Sequence, residues 1–203
     1  MPDLRNPSKT GAVKRGLLVG AFAPILVLGC NGSTTSAPDA PPPVSTATLS
    51  ANTVKPAITW PGAEAIDARA LEGLGDARSQ LSRSPVPVLA PSSDLSLERP
   101  TVVVEGEYYA ITARVTGATI AVQGTRAAHR YEGVDPHPGN RALRKGKGFV
   151  TVNEGIRSAS FIENGAAYTV DVECASVADA RCQSDAFVVE LVDRLVYVGG
   201  SGR

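Results

Sequence analysis

The residue types that carry most enzymatic chemistry are scarce in this chain. Its 203 residues include three cysteines and only two histidines, His129 and His137. The sequence contains no phosphate-binding glycine loop, nucleophile elbow, dinucleotide fingerprint or His-Glu-x-x-His motif. Asp171 and Glu173 lie two residues apart in a strand-like stretch, which favours a solvated strand face over a catalytic pair of carboxylates. The sequence therefore predicts no catalytic residue, no metal site and no cofactor.

Cys30 stands at the end of a predicted secretory signal. A basic start (Arg5, Lys9, Lys14 and Arg15) precedes the apolar run 16–28, and Gly29 supplies the small residue before the cysteine. The run has about a dozen residues, fewer than the roughly 20 that a membrane-spanning helix needs. The segment Leu26-Val27-Leu28-Gly29-Cys30 resembles the lipobox of bacterial lipoproteins. The resemblance implies that residues 1–29 are removed and that Cys30 is lipidated. An ordinary signal peptide with an incidental cysteine is the alternative.

The other two cysteines, Cys174 and Cys182, are expected to be exported with the rest of the chain by the same signal. Thiols that reach an oxidising compartment usually pair, so we expect a disulfide that closes a short loop. Their spacing does not fit a Cys-x-x-Cys redox site. Two free buried cysteines, or two metal ligands, are the alternatives.

The stretch 126–147 carries an excess of positive charge. It has six basic residues and two acids, and it joins two groups of predicted strands. The basic side chains suit contacts with phosphate or carboxylate groups, so we treat them as a candidate anion-binding set. The alternative is a solvated loop whose charges only keep it soluble. Asp135 and His137 offer two metal ligands, fewer than a site requires. The candidate set comprises Arg126, Arg130, Arg141, Arg144, Lys145 and Lys147.

Composition divides the chain into four parts. The segment 30–58 is rich in Ser, Thr and Pro and has little to bury, which predicts a flexible tether. The segment 59–98 contains an amphipathic pattern over 62–83 and then an extended, proline-rich strap over 85–91. We expect apolar residues of this strap to lie on the main domain, which spans residues 99–200.

Within residues 99–200 the apolar period is close to two, as in half-buried strands. Asn164-Gly165, between two alternating runs, predicts a tight hairpin. The stretch Asp185–Leu195 has an apolar stripe typical of a helix, and Gly199-Gly200 marks the end of order. The pattern predicts an α+β fold, in which an antiparallel sheet of about five to six strands is covered by an N-terminal and a C-terminal helix.

Residues 148–197 resemble small domains of the bacterial cell envelope, such as the outer parts of anti-sigma factors and lipoproteins. The resemblance rests on Phe161, the Asn164-Gly165 turn, Tyr168 and the closing helix. It implies a sensing or scaffolding module, and it transfers no functional residue.

The net charge and the predicted export signal together limit the functions that this chain can have. The chain is formally neutral, and its first 29 residues hold four basic residues and one acid, so the remainder carries a net charge of −3. Such a balance argues against nucleic-acid binding. We expect a lipid-anchored envelope protein with a non-catalytic binding or scaffold domain. Its partners would be the membrane, through the lipid, and an anionic envelope component or envelope protein. Asn31 after the cysteine suggests the outer membrane, by enterobacterial sorting habits. A hydrolase of envelope polymers and a subunit of an envelope complex are the alternatives.

Overall fold

A computed structural model describes residues 51–132, 134, 137 and 139–200 of the chain. The described residues all belong to one compact unit. The predicted signal peptide, Cys30 and the first part of the tether lie outside the described residues. The stretch 51–58, which the sequence assigned to the tether, contains the first strand.

The described residues form eleven strands and three α-helices, with two 3₁₀ segments at 63–65 and 75–83. The strands are β1 (Ala51–Val54), β2 (Val88–Pro91), β3 (Glu98–Glu105), β4 (Tyr108–Val115), β5 (Ala118–Thr125), β6 (Ala128–Tyr131), β7 (Arg141–Leu143), β8 (Gly146–Asn153), β9 (Ile156–Glu163), β10 (Ala166–Cys174) and β11 (Leu195–Gly199). The helices are α1 (Ala68–Gly73), α2 (Ala180–Gln183) and α3 (Ala186–Asp193).

Seven strands form the main sheet, in the order β3-β4-β5-β10-β9-β8-β7, and every neighbouring pair is antiparallel. Two meanders, β3-β4-β5 and β7-β8-β9-β10, meet where β5 pairs with β10. The remaining strands form two-stranded ribbons, β1 with β6 and β2 with β11. The α+β class is confirmed. The predicted count of five to six strands is too low, because the three residues of β7 are too few to show an alternating pattern.

Tight turns connect the strands of each meander. Asn164 and Gly165 have φ values of 54° and 80° between β9 and β10, as a type I′ turn requires, so the predicted hairpin is confirmed. Glu154 and Gly155 form an equivalent turn between β8 and β9, with φ values of 50° and 85°.

The helical segments are shorter than the sequence predicted. The helix expected over 62–83 is α1 flanked by the 3₁₀ segments, because Gly73 ends α1 and Gly75 has a φ of 56°. The helix expected over 185–195 ends at Asp193, and the apolar residues that follow form β11 against β2. Order thus continues through the strand that precedes Gly200. Within the described ranges, no helix combines the length and apolar character needed to cross a membrane.

The core lies between one face of the sheet and a layer made of α3, the β2–β11 ribbon and the 3₁₀ segment 75–83. The predicted strap is confirmed as extended and buried, since Val86, Val88 and Leu89 are fully inaccessible. Two tyrosines of the sheet bind it. The Tyr109 hydroxyl donates to the carbonyl of Leu89 (3.1 Å) and accepts from its N–H (2.9 Å), and the Tyr168 hydroxyl donates to the carbonyl of Pro87 (2.9 Å).

Candidate binding surface

The second face of the main sheet has no described element packed against it. Side chains that alternate with the core residues point to this side, which we call the open face. Its centre consists of small or polar residues from five strands, and most of them are half-buried by their neighbours alone. They are Ala110, Thr112, Ala121, Gln123, Thr125, Thr151, Ser158, Ser160, Ala167, Thr169 and Asp171.

Larger apolar side chains flank this centre on two opposite sides, one at the β3–β4 side of the sheet and one at the β8–β9 side. Val103 on β3 and Tyr108 on β4 lie at one end, and Ile162 on β9 and Phe149 on β8 lie at the other; their exposed fractions run from 38% for Tyr108 to 73% for Ile162. Single exposed apolar residues are common, whereas several around one flat surface are typical of an interaction site.

A shallow groove lies on the open face near the β3–β4 and β9–β10 turns. The register places Tyr108, Thr125, Ala167 and Ile162 side by side on four adjacent strands. Because neighbouring strands lie about 4.8 Å apart, Tyr108 and Ile162 stand about 14 Å apart across these four strands. Beside Tyr108 there is a shallow, solvent-open cavity of about 380 Å³, lined also by Gln123, Thr125 and Ala167. The Tyr108 hydroxyl donates to Glu105 at 3.3 Å, which restrains its ring.

The polar groups of the open face bind one another. Asp171 accepts hydrogen bonds from Ser158 (2.6 Å) and from Gln123 (3.1 Å), and the hydroxyls of Ser160 and Thr169 lie 3.2 Å apart. These contacts hold three adjacent strands in register and give Asp171 a positioning role within the sheet.

The end of the open face beside the β4–β5 turn carries charge. Glu98, Arg114 and Glu173 line a second cavity, of about 410 Å³, beside Cys174. The predicted disulfide is confirmed here, with Cys174 and Cys182 Sγ atoms 2.02 Å apart. It ties the end of β10 to α2.

The acid–base groups that a hydrolase could use, His129 with Asp171 and Glu173, lie in two different sheets. His129 lies on β6, where its ring nitrogen is 3.4 Å from the Thr53 hydroxyl of β1. Asp171 lies on β10 in the other sheet. Among the described residues no three His, Cys, Asp or Glu side chains are grouped as metal ligands.

The structure divides the candidate anion-binding set among several elements instead of one loop. Arg126 donates to the carbonyl of Pro56 (3.3 Å), and Arg141 pairs with Asp185 (2.6 Å). Arg130 on β6 is exposed. The stretch 126–147 itself contains β6, β7 and the start of β8, so the expectation of one long loop is wrong. Anion binding by the exposed members of the set stays a prediction.

Arg144 has a different role from the one that the sequence suggested. Its guanidinium is 2.5 Å from Glu163 and donates to the carbonyl of Leu195 at 2.6 Å, and its side chain is only 9% exposed. Lys145 approaches the same carboxylate at 3.5 Å, from a side chain that is 76% exposed. Arg144 is therefore committed to the interior.

Glu163 is the acceptor at the centre of this buried cluster. Burial alone would raise the pKa of its carboxyl, but hydrogen bonds from Arg144 and Tyr197 outweigh this effect and hold that pKa below its ordinary value. Burial and the bond to Glu163 raise the pKa of Tyr197 to about 12. Asn164 also donates to the Tyr197 hydroxyl, at 2.8 Å.

The residues of this cluster were not predicted from the sequence, although one signal for them was present. The alternation that turns Phe161 inward also turns Glu163 inward, and a charged residue at an inward position requires a partner. Lys147, the last member of the candidate set, lies exposed on β8 next to the open face.

The architecture defines the class of the protein. It is an α+β domain in which the helices and the strap cover one face of an antiparallel sheet, while no described element covers the other face. Comparisons with family models, curated proteins and solved structures find no match to this chain.

Proposed function

We propose that this chain is a lipid-anchored protein of the bacterial cell envelope, without catalytic activity, and that the open face binds its partner. The signal that ends at Cys30 and the tether after it support the anchor. The observation that carries the binding role is the open face itself, where small residues form a flat floor between exposed apolar side chains. Asn31 after the lipidated cysteine supports an outer-membrane location, facing the periplasm or the surface.

Metabolic labelling with a palmitate analogue tests the anchor. The parent chain should take up the label, and Cys30→Ala should not. Cys182→Ala is the matched control, because it also removes one thiol yet leaves the signal intact. Label retained by Cys30→Ala would contradict the anchor.

Site-specific photo-crosslinking in cells tests the binding surface. A benzoylphenylalanine introduced at Thr112 or Thr169 lies on the open face, whereas one at Val177, which is 83% exposed, lies between β10 and α2. We expect crosslinked adducts with an envelope component from the two open-face positions and none from Val177. The same adducts from all three positions would contradict a specific surface.

The exposed basic residues provide a second contact with an anionic partner. Arg130 and Lys147 have no partner within the described ranges that would compete for an anion, so they are better test positions than the buried Arg144. Binding to anionic lipid vesicles, lipopolysaccharide and peptidoglycan should fall in Arg130→Ala and Lys147→Ala, and it should weaken with salt because exposed charges are screened over about 8 Å. Arg78→Ala is the control. Equal binding by all variants would reduce these charges to a solvated surface.

A further inference from the structure

The two edges of the main sheet are treated differently. At one edge, β3 contains Pro100, a register shift between Glu98 and Thr101, and Arg99 with a φ of 52°, and the 3₁₀ segment 75–83 packs against it. Proline, bulges, charges and covering segments are the devices that protect an edge strand from pairing with another chain.

Among the described residues, the opposite edge lacks these devices over five residues, and the nearest described neighbour is His137, whose ring centroid lies 5.5 Å from that of Phe149. On its outer side β8 is paired with β7 only through Gly146–Gly148, so residues 149–153 border no strand among the described residues. Their sequence, Phe-Val-Thr-Val-Asn, has no charge and no proline. Val152 is 55% exposed and Phe149 is 39% exposed. An exposed, regular and apolar edge of this kind is a template for strand addition.

The hairpin turn determines which backbone groups face this edge. Because the turn at Glu154-Gly155 has two residues, Asn153 and Ile156 form the hydrogen-bonded pair that closes it. The pattern alternates along an antiparallel ladder, so the N–H and C=O groups of Val152 and Val150 point away from β9. The Gly148 carbonyl, two residues further, faces the same way and accepts from the Asn140 N–H at 3.0 Å.

We propose that the free part of β8 pairs, antiparallel, with the same strand of a second copy of this chain. The edge is self-complementary in charge. Lys147 precedes the neutral stretch and Glu154 follows it, so an antiparallel arrangement brings the Lys147 end of one copy towards the Glu154 end of the other. The valine side chains on the core side of the strand then cover each other.

The length of the free stretch also fits pairing with a second copy of this chain. It is limited on one side by β7 and on the other by the hairpin turn, and each copy offers the same five residues. Pairing would join two seven-stranded sheets and extend the open face across both copies. This inference does not depend on the lipid anchor or on the identity of a partner.

Cysteine crosslinking of the purified full chain in mild detergent tests the pairing. Thr151→Cys lies in the middle of the free stretch, and Thr101→Cys is the matched control, since it is an exposed threonine on the same face of the protected edge strand β3. Under mild oxidation we expect Thr151→Cys to yield a covalent dimer well above the level of the parent chain and of Thr101→Cys. Equal dimer yields from the two variants, or a Thr151→Cys yield no higher than that of the parent chain, would overturn the proposal.

Sedimentation velocity supplies an independent measurement. Val152→Lys places a charge at the pairing edge, and we expect it to weaken self-association about tenfold. Val103→Lys is the control at the other edge, where valine is also exposed, and should leave association unchanged. Both positions are exposed, so both variants should fold, which the thermal transition of each will verify. A parent chain that sediments as a monomer, or equal weakening by both variants, would overturn the proposal.

Discussion

Replacing Glu163 with glutamine removes one buried charge and keeps the size of the side chain. The Glu163 carboxylate is 5% exposed and accepts hydrogen bonds from Arg144 and Tyr197. In the variant, the Arg144 guanidinium stays buried without its counter-charge. The β7–β8 turn, β9 and β11 are joined through these side chains, so we expect the whole domain to lose stability.

The structure sets the size of the loss. Breaking a buried ion pair by removing one partner costs about 3–5 kcal/mol. Arg144 keeps two acceptors, the carbonyls of Leu195 (2.6 Å) and Val192 (3.3 Å), which places the expected loss near the lower limit, about 3 kcal/mol. For a domain of this size that corresponds to a fall in Tm of about 6–12 °C.

The pH dependence has a defined sign. Because the folded-state pKa of Glu163 lies below its ordinary value, the ionised carboxylate stabilises the fold at any pH above the unfolded-state pKa. That contribution is lost as the pH falls through the folded-state pKa. The stability gap between the parent chain and Glu163→Gln should therefore be complete at neutral pH and shrink below about pH 4.

Urea unfolding, followed by circular dichroism and by fluorescence of the single tryptophan, Trp60, measures the free energy of unfolding. Glu173→Gln, at an exposed position on β10, is the control and should change stability by less than about 0.5 kcal/mol. A loss below about 1 kcal/mol in Glu163→Gln, or a gap that does not shrink in acid, would refute the argument that this pair is a buried ionic contact.

Three further changes have definite expected outcomes. Cys174→Ser should lower the free energy of unfolding by about 2–3 kcal/mol, and a thiol titration of the denatured, unreduced parent should find neither cysteine of this pair reactive. Tyr109→Phe should cost more than Tyr168→Phe, about 2 against about 1 kcal/mol, because only the first leaves a buried backbone N–H of β2 unpaired; equal losses in urea unfolding would contradict this. Gly124→Ala should lower Tm, because its Cβ would lie 2.4 Å from the Tyr109 ring, whereas Gly146→Ala meets open space and should be nearly neutral.

Local patterns in the sequence predict those elements whose structure depends on neighbouring residues. Asn164-Gly165 predicts its hairpin because both residues accept a positive φ, and the prolines of the strap predict an extended segment. The cysteine pair predicts its disulfide from the compartment that the signal implies. Strand alternation predicts the α+β class, because an alternating pattern can be recognised from residues that are near neighbours along the chain.

Contacts between distant residues decide the rest. Arg144 is one of several basic residues in its stretch, and only the approach of β9 and β11 places Glu163 and Tyr197 around it. Likewise, the amino-acid sequence shows which side chains alternate, but not that α3 and the strap cover only one side of the sheet. The open face and the free edge of β8 exist because seven strands assemble in one order, and that order depends on pairings between residues far apart in the chain.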